Sequence, residues 1–151
     1  MQPELTLLLQ TRKNLVQRIS QFSLDQLNHI PLGFNNNLIW NLGHVLVTQR
    51  LLTYGRSGLP LELEPDFVEN YRKGSKPTGQ AGRDELNYIL QQLEPSVHQL
   101  QADYVSDRFE HFQTYATSYG YQLESIEDAL RFNNAHEAMH LGSVIALSKV
   151  I

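Results

Sequence analysis

The pentad His136-Glu137-Ala138-Met139-His140 constrains this chain more than any other stretch. Each helical residue turns the backbone by ~100°, so positions four apart lie about 40° apart on one face. Two imidazoles so placed reach one metal ion. The flanking residues favour a helix over 125–151. Ser125 as N-cap pairs with Asp128, Glu127 and Asp128 suit the N-terminal dipole, and no proline interrupts the run. Apolar residues recur at Ile126, Ala129, Leu130, Phe132, Met139, Val144 and Leu147, so this helix is expected to be largely buried. Buried histidines need partners. A metal is one such partner; two metal-free helical histidines are the alternative.

The pentad also fits H-E-x-x-H, in which the Glu acts as general base of a zinc protease. That pattern takes a further ligand downstream, and residues 141–151 offer no His, Asp, Glu or Cys. A third protein ligand has to come from upstream. With no cysteine in the chain, a thiolate zinc site, a disulfide and a Cys nucleophile are excluded. A net charge of -4 with both signs scattered gives no basic track for nucleic acid. The start, Met1-Gln2-Pro3-Glu4, lacks the basic and apolar regions of a secretory signal, and no apolar run approaches ~20 residues. A cytoplasmic protein without a membrane span is therefore expected. At 151 residues, one domain covering 1–151 is the natural count.

Three further helices follow from apolar periodicity. Residues 3–21 carry Leu5, Leu8, Leu9, Leu15, Val16 and Ile19 at spacings of three and four, with Arg12 on that stripe and expected to reach water at the rim. Residues 23–27 suit one short capped turn. Residues 36–54 form a very apolar second helix, with Asn36 the expected N-cap and Gly55 the stop. Gly43 lies inside it at a cost of ~1 kcal/mol against Ala, which implies that something packs closely there. Residues 83–104 form a third helix, kinked or split by Pro95. The connections 57–80 and 105–124 are long, and such connections are often functional. A helical turn is expected near Asp66 to Tyr71. The fold expected from four such helices is all-α, a four-helix bundle.

His44, midway along the second helix, is the best candidate for the third ligand, because bundle metal sites use facing helices at matched depth. His29 and His111 fall in connections and His98 on the third helix; they are expected to be ordinary surface or rim histidines. The run Asn36-Asn37-Leu38-Ile39-Trp40-Asn41-Leu42-Gly43-His44, followed by His136-Glu137-Ala138-Met139-His140-Leu141-Gly142, resembles the DinB-like (DinB/YfiT) superfamily over nearly the whole chain. The resemblance implies an up-down-down-up bundle with residues 57–80 as the crossover. It also implies one divalent ion held by His44, His136 and His140, and a homodimer. Members of that family are described as metal-dependent hydrolases or as S-transferases that use low-molecular-weight thiols such as bacillithiol or mycothiol.

Three neutral imidazoles leave at least one coordination position open, the layout of a catalytic zinc site. Such a site keeps the full charge of its ion and favours anions. Imidazole does not choose sharply among Zn, Ni, Fe and Mn. Glu137 stands as a candidate base, as an acceptor for an imidazole N–H, or as a plain rim carboxylate. Asn37, Asn41 and Asn133 are candidate contacts to the ligands or to substrate, with capping or interhelical bonding as their alternative. Trp40 is a candidate pocket wall or core residue. The expected partner is a small molecule, and the resemblance points to a low-molecular-weight thiol. A metal-dependent enzyme and a non-catalytic, metal-stabilised dimerising protein both fit. Since histidines bind metal only when neutral, acid should release the ion, and thermal stability should fall between roughly pH 6.5 and 4 more steeply in metal-loaded than in metal-free protein.

Overall fold

The computed structural model describes residues 2–151. It is 61% helix, in six helices among the described residues. α1 (Pro3–Ile19) begins with proline in its first turn, where the missing N–H has no helical partner to lose. Ser23 and Gln26 form a capping box at the start of α2 (Leu24–Asn28). α3 (Leu38–Arg50) is capped by Asn37, whose side chain accepts the Trp40 N–H at 2.8 Å. Asn36, the expected cap, instead accepts from the Asn41 amide at 3.1 Å.

α3 runs on into a π-helical turn, Leu51–Gly55. Such turns are rare and concentrate at functional sites, and apolar periodicity does not reveal them. α4 (Pro65–Tyr71) lies in the first long connection, where a helical turn was expected. α5 (Arg83–Val105) is not split at Pro95. Pro95 and Gln91, whose carbonyl loses its helical donor there, both lie on the exposed side. The second connection carries a small hairpin, β1 (Tyr115–Ala116) antiparallel to β2 (Gln122–Leu123), with Tyr115 opposite Leu123. Two-residue strands are too short to give an alternating signal. α6 (Ile126–Leu147) starts at Ser125, whose side chain accepts the Asp128 N–H as expected.

The four long helices pack on one another: α1 lies against α5 and α6, and α3 lies against the same two. One apolar cluster gathers Leu42, Leu46, Ile89 and Leu93; a second gathers Leu5, Leu8, Tyr54 and Leu100. α6 is less buried than its composition suggests. Ala135, Ala138, Met139 and Gly142 lie exposed, Met139 by 46%. No helix of the described residues is long and apolar enough to cross a membrane.

Arg12 departs furthest from expectation, since it is fully buried instead of reaching the rim. Its Nε and Nη2 donate to the two oxygens of Glu137 on α6, at 3.0 and 2.7 Å. Its Nη1 donates to the Leu93 carbonyl and the Ser96 hydroxyl on α5, and Nη2 also approaches Gln49 on α3 at 3.5 Å. A guanidinium has five N–H donors in a fixed fork, and each has an acceptor here. One side chain of α1 thus ties together all four long helices.

Candidate metal centre

His44 comes from α3 and His136 and His140 from α6, and the packing of these helices brings the rings together. Ring centroids are 5.1 Å apart for His44 and His136, 4.7 Å for His44 and His140, and 4.6 Å for His136 and His140. One nitrogen of each ring lies within 4.8 Å of the other two. His29, His98 and His111 are exposed and take no part.

Hydrogen bonds fix which nitrogens are free. His44 Nδ1 lies 2.7 Å from the Tyr71 carbonyl, an acceptor only, so Nδ1 carries the proton and Nε2 the lone pair. His140 Nδ1 lies 2.8 Å from Asn41 Oδ1. The Asn41 amide nitrogen faces two oxygens, Asn36 Oδ1 and the Asn37 carbonyl, which settles its orientation. His140 therefore also presents a bare Nε2. His44 Nε2 and His136 Nε2 are 3.2 Å apart. Two nitrogens of a tetrahedral zinc site are separated by roughly 3.3 Å, given Zn–N bonds of ~2.0–2.1 Å. The donor set fits one divalent transition metal.

Trp40 stacks on His44 with ring centroids 4.5 Å apart and planes 12° from parallel, and its indole N–H donates to Ser75. Trp40 and Asn41 therefore hold two of the three rings, and Asn37 holds the helix end that carries them. Asn133 and Glu137 lie elsewhere. Asn133 donates to Glu137 at 3.0 Å, and both carboxylate oxygens of Glu137 are taken by Arg12. Glu137 is fully buried, so it is no rim carboxylate, and none of its hydrogen bonds goes to an imidazole. Helical spacing puts it one residue from His136, but ~100° of rotation turns it toward α1 and α5.

Sequence reasoning missed Tyr71, although Gly43 pointed to it. A Cβ at Gly43 would stand 2.3 Å from Tyr71 Cδ1, so the phenol ring lies flat against the helix beside His44. The ring is buried and its hydroxyl donates to Glu85 at 2.6 Å, so it has little room to yield. Gly43→Ala gains ~1 kcal/mol of helix propensity, whereas overpacking costs about 1–3 kcal/mol. The shift also displaces the carbonyl that orients His44, and loss of such a partner costs ~10–100-fold in metal affinity. We expect a lower Tm and zinc affinity at least 10-fold weaker by competition titration. A variant as stable and as tight as wild type would contradict this packing.

All three rings are held neutral. Burial drives His136 down to about 3, with the neighbouring His140 and His44 adding to the effect. His140 falls to about 4, again by burial first and then by His44. His44 is lowered by burial, against a smaller opposing pull from its bond to the Tyr71 carbonyl. The unfolded chain takes up protons near pH 6.5 that the folded chain refuses, so stability is full above that pH and falls as pH drops toward 4. Metal-free protein should show this loss in thermal melts between pH 7 and 4, with net uptake of protons on unfolding within that window. The His136→Asn/His140→Asn variant should show a shallower profile, and equal slopes would contradict the burial argument. Because no proton has to leave the folded site, acid should release the ion at lower pH than free histidines would require.

A cavity of about 510 Å³ opens onto the three rings. Leu51, Leu52 and Gly55 of the π-helical turn form one wall, and Phe132 of α6 another. The hairpin contributes Tyr115, Thr117 and Ser118. Thr48, one turn after His44, brings its hydroxyl within 3.3 Å of His44 Nε2. Its spacing of four from His44 places it on the same stripe of the helix. The volume lies within the ~300–1,000 Å³ usual for small-molecule sites.

A cluster of one buried and two half-buried imidazoles under an open cavity, in a mostly helical frame, defines a candidate metal-binding protein. Residues 7–144 match the profile of the DinB superfamily, and the chain belongs to that superfamily. No curated protein sequence matches it.

Proposed function

We propose that this protein is a metal-dependent enzyme acting on a small molecule, with one divalent ion held by His44, His136 and His140. Zn, Ni, Fe and Mn all suit the three nitrogens. The observation that carries the proposal is the cavity over the rings, because a metal that only joins α3 to α6 needs no approach from solvent. When bound, the ion would supply Lewis acidity and favour the deprotonated form of water or of a thiol. The chain's own residues orient the rings through Tyr71, Asn41 and Trp40, and the apolar walls exclude water from one side of a bound substrate.

Between hydrolysis and thiol S-transfer, one observation favours the second. No Asp or Glu lines the cavity, and Glu137 is occupied by Arg12. Hydrolysis would lack a carboxylate base, whereas a thiol has a pKa near 8.5 and needs little help to ionise. The proposal includes the up-down-down-up topology for the four long helices, a single domain, a homodimer and a cytoplasmic setting. The alternative is a dimerising protein whose metal only stabilises the bundle.

Cobalt-substituted protein separates the two readings. Its visible absorption should change with azide, and a low-molecular-weight thiol should add a sulfur charge-transfer band. A spectrum indifferent to millimolar concentrations of both would leave the stabilised-bundle reading standing.

A further inference from the structure

The cavity over the imidazoles is charged in one sense only. Arg56 and Lys73 line it, and no carboxylate does, although the chain as a whole carries -4. Neither cation forms an ion pair among the described residues, whereas Arg12, Arg50, Arg72, Arg108 and Arg131 all do. Arg56 is half-buried and follows directly on the π-helical turn. Its guanidinium carbon lies 4.0 Å from the centroid of the Tyr115 ring, so the hairpin holds it by cation–π contact and leaves its N–H fork without a carboxylate. Lys73 stands two residues after Tyr71, on the segment that supports His44. Leu51, Leu52 and Phe132 give the cavity an apolar wall, and Thr48, Thr117 and Ser118 add hydroxyls.

We propose that Arg56 and Lys73 form an anion subsite, and that the substrate of this cavity is a small molecule with an apolar body and a carboxylate or phosphate group. The inference rests on the reading of the cavity as a substrate site. Arg presents a planar fork that takes carboxylate or phosphate in bidentate fashion, and Lys adds a mobile point charge. Half-buried against the cavity wall, Arg56 acts with less solvent screening than on an open surface, while Lys73 is exposed at the cavity edge and adds its charge there. The subsite fixes one end of the substrate, so the group at the other end meets the three rings.

The test compares 3-phenylpropionate and phenyl phosphate with neutral 3-phenylpropionamide. Binding is read by calorimetry and by the fluorescence of Trp40, the single tryptophan, which stacks on His44. Each titration is run on zinc-loaded and on metal-stripped protein. Stripped wild-type protein should bind at least one anion about 10-fold more tightly than the amide. Arg56→Gln/Lys73→Gln should abolish that preference with unchanged zinc content and circular dichroism, and Lys73→Gln alone should reduce it. Arg56→Lys keeps the charge without the fork and should retain part of the preference, above the double variant, which separates charge from disturbance of the hairpin. The carboxylate and phosphate arms identify the group preferred. Equal binding of anions and amide by stripped wild type, or an anion preference untouched in the double variant, would overturn the proposal. Failure of the metal reading shows separately, as wild-type protein that takes up no zinc.

Discussion

Arg12→Ala should destabilise the protein by about 3–5 kcal/mol, because it leaves the Glu137 carboxylate charged and without its main partner inside the core. Both side chains are fully buried, so water does not replace the lost donors. Glu137→Gln should be nearly as costly, since one oxygen becomes a donor facing the guanidinium. A double replacement by apolar residues, Arg12→Leu/Glu137→Leu, should recover most of the loss, because the desolvation cost of both ions vanishes with them. Urea unfolding of the four proteins gives the three stability differences directly. Single variants within about 1 kcal/mol of wild type would show that the pair does not hold the helices together. Glu137→Gln also tests chemistry: with Glu137 held by Arg12, any loss of activity should follow the loss of folded protein.

The second large effect is on metal binding. His44→Ala, His136→Ala and His140→Ala should each weaken binding by more than 100-fold, beyond the ~10–100-fold cost of losing a residue that only supports a ligand. His29→Ala, His98→Ala and His111→Ala should leave affinity unchanged, since those side chains are exposed and apart from the cluster. Elemental analysis after dialysis against a weak chelator distinguishes the two sets. Stoichiometric metal in His136→Ala or His140→Ala would remove the assignment.

The histidine triad was legible because it follows from helix geometry: spacing of four on α6, and one histidine beside a costly glycine on α3. Gly43 even announced its close neighbour. The identity of that neighbour was not legible, because Tyr71 comes from α4 and acts through its backbone carbonyl, which carries no residue-type signal. Arg12 was misplaced for a related reason. A charged residue on an apolar stripe is assigned to the rim by its own hydration, and only a partner 125 positions away reverses that. Periodicity on α6 overstated its burial, since Ala, Gly and Met count as apolar wherever they sit. Helical spacing from His44 drew Trp40 and Asn41 toward the site, and they contact His44 and His140 without lining the cavity. Asn133 was drawn there by the same reasoning from α6, and the pairing of Arg12 with Glu137 claimed it instead. The cavity walls arise from a π-helical turn and a hairpin, whose irregular backbones leave no periodic trace.

X-ray absorption on zinc-loaded protein tests the central claim most directly, because multiple scattering counts imidazoles. Three imidazole nitrogens at ~2.0–2.1 Å and one further oxygen ligand are expected. Addition of a low-molecular-weight thiol should replace that ligand by sulfur at ~2.3 Å. A spectrum with four protein ligands, unchanged by thiol, or one without three imidazoles, would contradict an open three-histidine centre at the floor of this cavity.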